Sequence, residues 1–211
     1  NRASRALSLM LPELFSTDGP IVVLAGKARV RYWPAYLPES EADALFARLR
    51  KSINWQSGHL YIHGKNRAIP RLFQWYGERD YSYSGRHHQA VPLPGELDEL
   101  RRGLEETLAL RFNSVLCNLY RNENDSVAMH SDNEAELGVD PAIASLSLGE
   151  TRRFVLRNKA TMERLSLELA HGSLLLMAGQ TQSLFEHGIP RTRARKGERI
   201  NLTFRWIYEQ S

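Results

Sequence analysis

The stretch "RINLTFRWI", residues 199–207, decides the fold. On an extended chain successive side chains point to opposite faces. Arg199, Asn201, Thr203 and Arg205 therefore share one face, and Ile200, Leu202, Phe204 and Trp206 share the other. A surface strand would turn its polar face to water, whereas a strand in a barrel wall would turn that face into an internal polar pocket. "SVLCNLY", residues 114–120, has the same character, with Asn118 and Tyr120 opposite Cys117 and Leu119. Two guanidiniums, an amide pair and a phenol in one cavity would suit a small dicarboxylate, because arginine meets a carboxylate with paired hydrogen bonds.

Outward from these strands, short β-rich runs follow one another: "AIASLSLG" (142–149), "RRFVLRN" (152–158), "LSLELAHGSLLLMAG" (165–179) and "QSLFEHGIP" (182–190). Six or more such runs at close spacing point to a β-sandwich or barrel. Ahead of them lie two amphipathic helices. "PESEADALFARLRKS" (38–52) has Ser40 as its expected N-cap and Leu45, Phe46 and Leu49 at helical spacing. "PGELDELRRGLEETLALRF" (94–112) repeats the pattern with Leu97, Leu100, Leu104 and Leu108. Helices in front and strands behind give an α+β architecture with a jelly-roll-like half. The segment between the helices, "HLYIHGKNRAIPRLFQWYGERDYSYSG" (59–85), is rich in aromatics, arginine and glycine and reads as an irregular covering segment.

Composition narrows the class. With 211 residues, 42% of them hydrophobic and 25% charged, one substantial core is expected. Cys117 is the only cysteine, so no disulfide can form within the chain and a reducing, intracellular compartment is the simpler expectation. The apolar segment Leu7 to Phe15 is broken by Pro12 and Glu13 and is far short of the roughly 20 residues a membrane helix needs. A net charge of +4 suits a polyanion without requiring one.

The chemistry concentrates in "NLYRNENDSVAMHSDNE", residues 118–134. His130 and Asp132, two apart on an extended segment, can converge on one point, which is half of a metal site. A mononuclear iron centre of the two-histidine, one-carboxylate kind needs one more imidazole and keeps open positions for a co-substrate and O2. His171 in "LAHGSLLLM" and His187 in "SLFEHGIP" both qualify, and spacing does not choose between them.

Taken together, "FNSVLCNLYRNENDSVAMHSDNEAELG", "IASLSLGETRRF", "LAHGSLLLM" and "RINLTFR" resemble the AlkB family of iron(II)- and 2-oxoglutarate-dependent nucleic-acid dealkylases, specifically its branch with the second and third mammalian homologues. The resemblance runs from about residue 29 to the C-terminus. It implies a double-stranded β-helix (jelly-roll) core with N-terminal helices, built as one domain over residues 29–211 behind an extension of residues 1–28, with residues 56–90 as a nucleotide-recognition lid. It implies His130, Asp132 and His187 as ligands of Fe(II), His171 as a structural turn residue, and Asn118, Tyr120, Arg199, Asn201 and Arg205 as contacts of the co-substrate 2-oxoglutarate. The implied reaction consumes O2 and oxidises an N-alkyl carbon to a hemiaminal, which loses formaldehyde and restores the base, while 2-oxoglutarate leaves as succinate and CO2.

An enzyme of this kind must reach an unstacked base and grip it between aromatic faces. The resemblance points to Tyr81 and Tyr83 of "DYSYSG", to Trp75, and to Glu134 as an acidic substrate contact. Asn133 stands where close relatives carry aspartate, one negative charge fewer beside a cationic base such as 1-methyladenine or 3-methylcytosine. Relatives that act on duplexes insert a bulky apolar residue from the hairpin that here carries Ile62 and His63, so single-stranded DNA or RNA is the expected substrate. Two basic groups are read as phosphate contacts: "RTRARKGER" (191–199), and Arg152, Arg153, Arg157, Lys159 and Arg164. A monomer in the cytoplasm or nucleus is expected. The competing readings are an iron and 2-oxoglutarate hydroxylase acting on protein or lipid, and a non-catalytic nucleic-acid-binding module.

Overall fold

The computed structural model describes residues 19–62, 65–78, 81–83 and 86–209, with side chains omitted at 60–62, 65–67, 81–83 and 86–88. The strands are β1 (Ile21–Leu24), β2 (Ala28–Trp33), β3 (His59–Ile62), β4 (Lys65–Ala68), β5 (Leu72–Gly77), β6 (Tyr81–Tyr83), β7 (Arg86–His88), β8 (Ser114–Tyr120), β9 (Val127–His130), β10 (Ile143–Gly149), β11 (Arg152–Asn158), β12 (Arg164–Leu169), β13 (Ser173–Gly179), β14 (Phe185–Ile189) and β15 (Arg199–Arg205). The helices are α1 (Glu39–Ser52), α2 (Gly95–Leu108) and a single turn, α3 (Thr181–Leu184).

A seven-stranded sheet in the order β1-β2-β13-β10-β15-β8-β5 faces a four-stranded sheet in the order β12-β11-β14-β9. Every pairing in them is antiparallel, and connections such as β10 to β11 and β13 to β14 pass from one sheet to the other. This is the jelly-roll core that the sequence leads one to expect.

The long sheet is covered on its outer face by the helices. Ala42, Leu45 and Leu49 of α1 and Leu97, Leu100 and Leu104 of α2 join Ile200, Leu202, Phe204, Cys117, Leu146 and Leu148 in one buried cluster. Both faces of β15 are buried, which removes the surface-strand reading: its apolar side chains meet the helices and its polar ones point between the sheets. A second apolar cluster between the sheets, including Val30, Tyr32, Tyr120, Phe154, Met177 and Ile189, closes the rest of the gap.

Three details depart from expectation. Helix α1 starts at Glu39 with Pro38 at its N-cap and no side-chain cap bond, so Ser40 lies inside the helix and does not cap it. The long sheet begins before residue 29, because β1 pairs with β2 at its edge. The covering segment is divided: β5 belongs to the long sheet, while β3–β4 and β6–β7 form separate two-stranded ribbons.

Candidate active site

Between the two sheets lies a pocket whose walls carry the polar residues of the alternating strands. Asn118 and Tyr120 on β8 stand directly across from Asn201 and Arg199 on β15, and Ser145 and Ser147 on β10 stand across from Thr203 and Asn201. At one end of this wall His130 and His187 are register partners on β9 and β14, with ring centroids 4.4 Å apart. Gly188 permits that approach: a Cβ there would stand 2.9 Å from the Val127 carbonyl oxygen on β9. Asp132 follows β9 immediately. One ligand atom from each of His130, Asp132 and His187 lies within 4.8 Å of the others, the one such group found among the described residues.

The donor set fits a divalent ion. Oδ1 of Asp132 is buried and lies 3.4 Å from Nε2 of His130. Two ligands at right angles, each about 2.1 Å from an ion, are about 3 Å apart. His130 is oriented through Nδ1, 2.8 Å from the Ala128 carbonyl oxygen, which leaves Nε2 toward the group's centre. Burial, and next the charge of His130, pull the pKa of His187 down to about 3, so at neutral pH its imidazole is uncharged and able to ligate. Burial alone would raise the pKa of Asp132. The Arg205 guanidinium, followed by the hydrogen bond and charge of His130, holds it well below the usual carboxylate range. Arg205 donates to Oδ2 of Asp132 from Nη2 at 2.6 Å and Nε at 3.2 Å, both partners being almost fully buried.

The opposite end of the pocket is unlike this one. Arg199 is 1% exposed and donates one hydrogen bond, from Nη2 to Oγ of Ser147 at 2.9 Å. Its Nε and Nη1 have no partner, and no described carboxylate comes within ion-pair distance of it. A buried guanidinium with two vacant donors costs free energy that an anion would recover. The residues present therefore fit a dicarboxylate that reaches from the metal group to Arg199. Asn201 is committed to the wall, donating to Oγ of Ser145 and the Leu146 carbonyl oxygen and accepting from Thr203.

The remaining predicted residues divide. His171 lies apart from the metal group and fixes a turn, its Nδ1 accepting from the Gly149 N–H at 2.7 Å. Trp75 is on the pocket side of β5 but is 3% exposed, packed against the pocket-lining Leu116 and against Leu137 and Ile207. Glu134 is half-buried just after Asp132, ahead of a short 3-10 turn at Ala135–Leu137, and Asn133 is exposed. Tyr81 and Tyr83 lie on β6, but their side chains, like Ile62 and His63 in the β3–β4 hairpin, fall outside the described residues.

Among the basic groups, Arg199 belongs to the pocket, Arg152 is 1% exposed, Arg157 is ion-paired with Glu186, and Lys159 donates to the Gln182 carbonyl oxygen. Arg153, Arg164, Arg191, Arg193 and Arg195 are exposed.

Sequence reasoning missed two residues. Arg71 reaches into the pocket from the loop before β5, donating to Oδ1 of Asn118 at 2.7 Å and to the Ser126 carbonyl oxygen. Gln182, 2% exposed on α3, accepts from the backbone N–H of Asp132 at 3.0 Å. Neither sits in a periodic pattern that would have drawn attention to it.

Comparison with known proteins agrees with this geometry. The profile of the 2OG-Fe(II) oxygenase superfamily matches residues 29–205. The alpha-ketoglutarate-dependent dioxygenase alkB homolog 3 of Bos taurus is 40% identical over 193 residues, covering 87% of this chain and 68% of the relative. DNA oxidative demethylase ALKBH2 of Bos taurus is 34% identical over 182 residues, covering 80% and 66%. The solved structure of OsALKBH1 shares the fold, with a TM-score of 0.61 at 17% identity over 86% of this chain and 99% of that one. The chain therefore belongs to the AlkB family of the 2OG-Fe(II) oxygenase superfamily and is an iron(II)- and 2-oxoglutarate-dependent dioxygenase.

Proposed function

We propose that the protein is an oxidative dealkylase of N-alkylated bases such as 1-methyladenine and 3-methylcytosine in single-stranded DNA or RNA. The observation that carries the reading is the pairing, in one pocket, of the His130, Asp132 and His187 group with the buried, half-vacant guanidinium of Arg199. The two kinds of curated relative, one of them a DNA oxidative demethylase by name, support nucleic acid as the substrate.

His130, Asp132 and His187 would hold the iron, which with 2-oxoglutarate and O2 supplies the oxidising power for the N-alkyl carbon. Everything else is the work of the protein. Arg205 keeps Asp132 ionised and fixes which of its oxygens faces the metal group. Gln182 holds the main chain of Asp132, and Arg71 turns the Asn118 amide. Arg199 receives the far carboxylate of 2-oxoglutarate, with Tyr120 and the Asn118–Asn201 wall alongside. Phe154, Leu169, Met177 and Ile189 line the pocket with apolar surface that keeps water from the reacting carbon.

The alkylated base enters beside Glu134, whose carboxylate favours a cationic ring. The β3–β4 and β6–β7 ribbons act as the lid over it, with Tyr81 and Tyr83 gripping the base, and the exposed arginines at 191, 193 and 195 meet phosphates.

The test is incubation with Fe(II), 2-oxoglutarate and oligonucleotides carrying 1-methyladenine or 3-methylcytosine, single-stranded and duplex side by side. Formaldehyde and succinate should appear in equal amounts, faster on single strands. No formaldehyde with all components present overturns the reading, and activity unchanged in the Tyr81→Ala, Tyr83→Ala double variant overturns the assignment of the lid.

A further inference from the structure

Arg152 carries a role that its place in a basic run of sequence conceals. It is 1% exposed at the start of β11, and it donates to three carbonyl oxygens from two separate turns: Asn122 at 3.2 Å, Asp125 at 2.7 Å and Pro190 at 3.0 Å. Its guanidinium carbon lies 5.5 Å from the centre of the Tyr120 ring, and that of Arg199 lies 5.0 Å from the same centre. Two buried cations thus share one aromatic ring at the far end of the pocket.

The charges of Asp125, Glu150 and Glu123 act on Arg152 from beyond ion-pair distance, each carboxylate being bonded elsewhere. Asp125 is bound by Arg121 at 2.8 Å, Glu150 by Lys196 at 2.9 Å, and Glu123 accepts from the Lys196 N–H. Among the described residues no carboxylate forms an ion pair with Arg152 or Arg199. Burial lowers the pKa of both, and each stays charged at neutral pH because arginine starts so high.

Resting on the reading that Arg199 receives the far carboxylate, we infer that Arg152 is a positioning and specificity-determining residue for the co-substrate: its charge makes the pocket floor select a terminal carboxylate over a neutral tail, and its three carbonyl bonds hold Tyr120 and the adjoining turns in place. With both guanidinium carbons within 5.5 Å of one ring centre, a unit charge about 10 Å from the carboxylate, acting through an effective dielectric of about 20, changes its affinity by the order of tenfold.

The experiment measures binding by calorimetry to the Mn(II)-loaded protein under argon, using 2-oxoglutarate and 2-oxopentanoate, which has the same length and chelating end but a methyl group in place of the far carboxylate. Arg152→Met should weaken 2-oxoglutarate about tenfold and 2-oxopentanoate less than twofold, and Arg152→Lys, which keeps the charge but not the three-carbonyl geometry, should restore most of the preference. In turnover the same loss should appear in the KM for 2-oxoglutarate with kcat nearly unchanged. Equal weakening of both ligands by Arg152→Met, or no weakening of either, overturns the inference. If Arg152→Met does not fold, Arg152→Gln, neutral and still a donor, carries the same comparison. Arg199→Met separates the two levels: if it abolishes the preference for 2-oxoglutarate while Arg152→Met leaves it intact, the inference fails and the pocket assignment stands; if Arg199→Met leaves 2-oxoglutarate binding untouched, the pocket assignment itself fails.

Discussion

Arg199 and Arg205 occupy the two ends of one strand, on the same face, both almost fully buried, and they meet opposite circumstances. Arg205 is paired with Asp132 through Nη2 at 2.6 Å and Nε at 3.2 Å. Arg199 has one serine hydroxyl and two vacant donors. A buried ion pair fixes geometry; a buried guanidinium with no carboxylate opposite it is a free-energy debt left for a ligand to settle. The strand thus carries one arginine paired with a carboxylate of the chain at the metal end and one with no carboxylate opposite it at the other, and nothing in their identical chemistry distinguishes them except what lies opposite.

The largest effect should come from breaking the ion pair. Arg205→Met strands the Asp132 carboxylate in the interior and should destabilise the metal-free protein by about 3 to 5 kcal/mol, read from urea unfolding. Arg199→Met should act in the other direction on the fold. It removes an uncompensated buried charge and should stabilise the ligand-free protein by about 1 to 2 kcal/mol, while raising the KM for 2-oxoglutarate about a hundredfold, the value of a close charge pair. Loss of stability in both variants would erase the distinction between the two ends.

The metal end also carries a pH signature. His187 has its folded pKa near 3 and an ordinary value of 6.5, so the unfolded chain binds the proton first as pH falls. Its contribution is fully present above about 7, erodes as pH drops through 6.5, and costs the metal-free protein about 2 kcal/mol by pH 5. Asp132, also depressed, adds its loss only below the ordinary carboxylate range. His187→Leu should flatten the pH 5 to 7 portion of the thermal-melting profile; an unchanged slope would contradict the burial argument. The smallest effect serves as a control: Arg157 pairs with Glu186 while both remain partly exposed, so Arg157→Ala should cost under about 1 kcal/mol.

How much of this could be read from the sequence depended on whether the signal was local. The alternation of β15 and β8 was legible because period two sorts two chemistries onto two faces; the burial of both faces was not, because alternation alone fits a surface strand as well. His-x-Asp was legible as half a metal site. Its third member was not, since His187 meets His130 only through the β9–β14 pairing, which adjacency in the chain does not report. Arg152 looked like surface charge because a letter carries no burial, and Trp75 looked available because an aromatic in an irregular segment gives no hint that Leu137 and Ile207 will cover it. Ser40 looked like a cap because serine often is one, but Pro38 stands at the turn into α1. Arg71 and Gln182 act through hydrogen bonds across the fold, a kind of information that no local pattern contains.

The account rests on one pocket holding a metal at one end and a carboxylate at the other, and sequential calorimetry under argon tests it most directly. Mn(II) should bind mole for mole, 2-oxoglutarate should bind mole for mole only afterwards, and Asp132→Ala should lose both events. Metal binding that survives Asp132→Ala, or 2-oxoglutarate binding of equal strength with and without the metal, would contradict it.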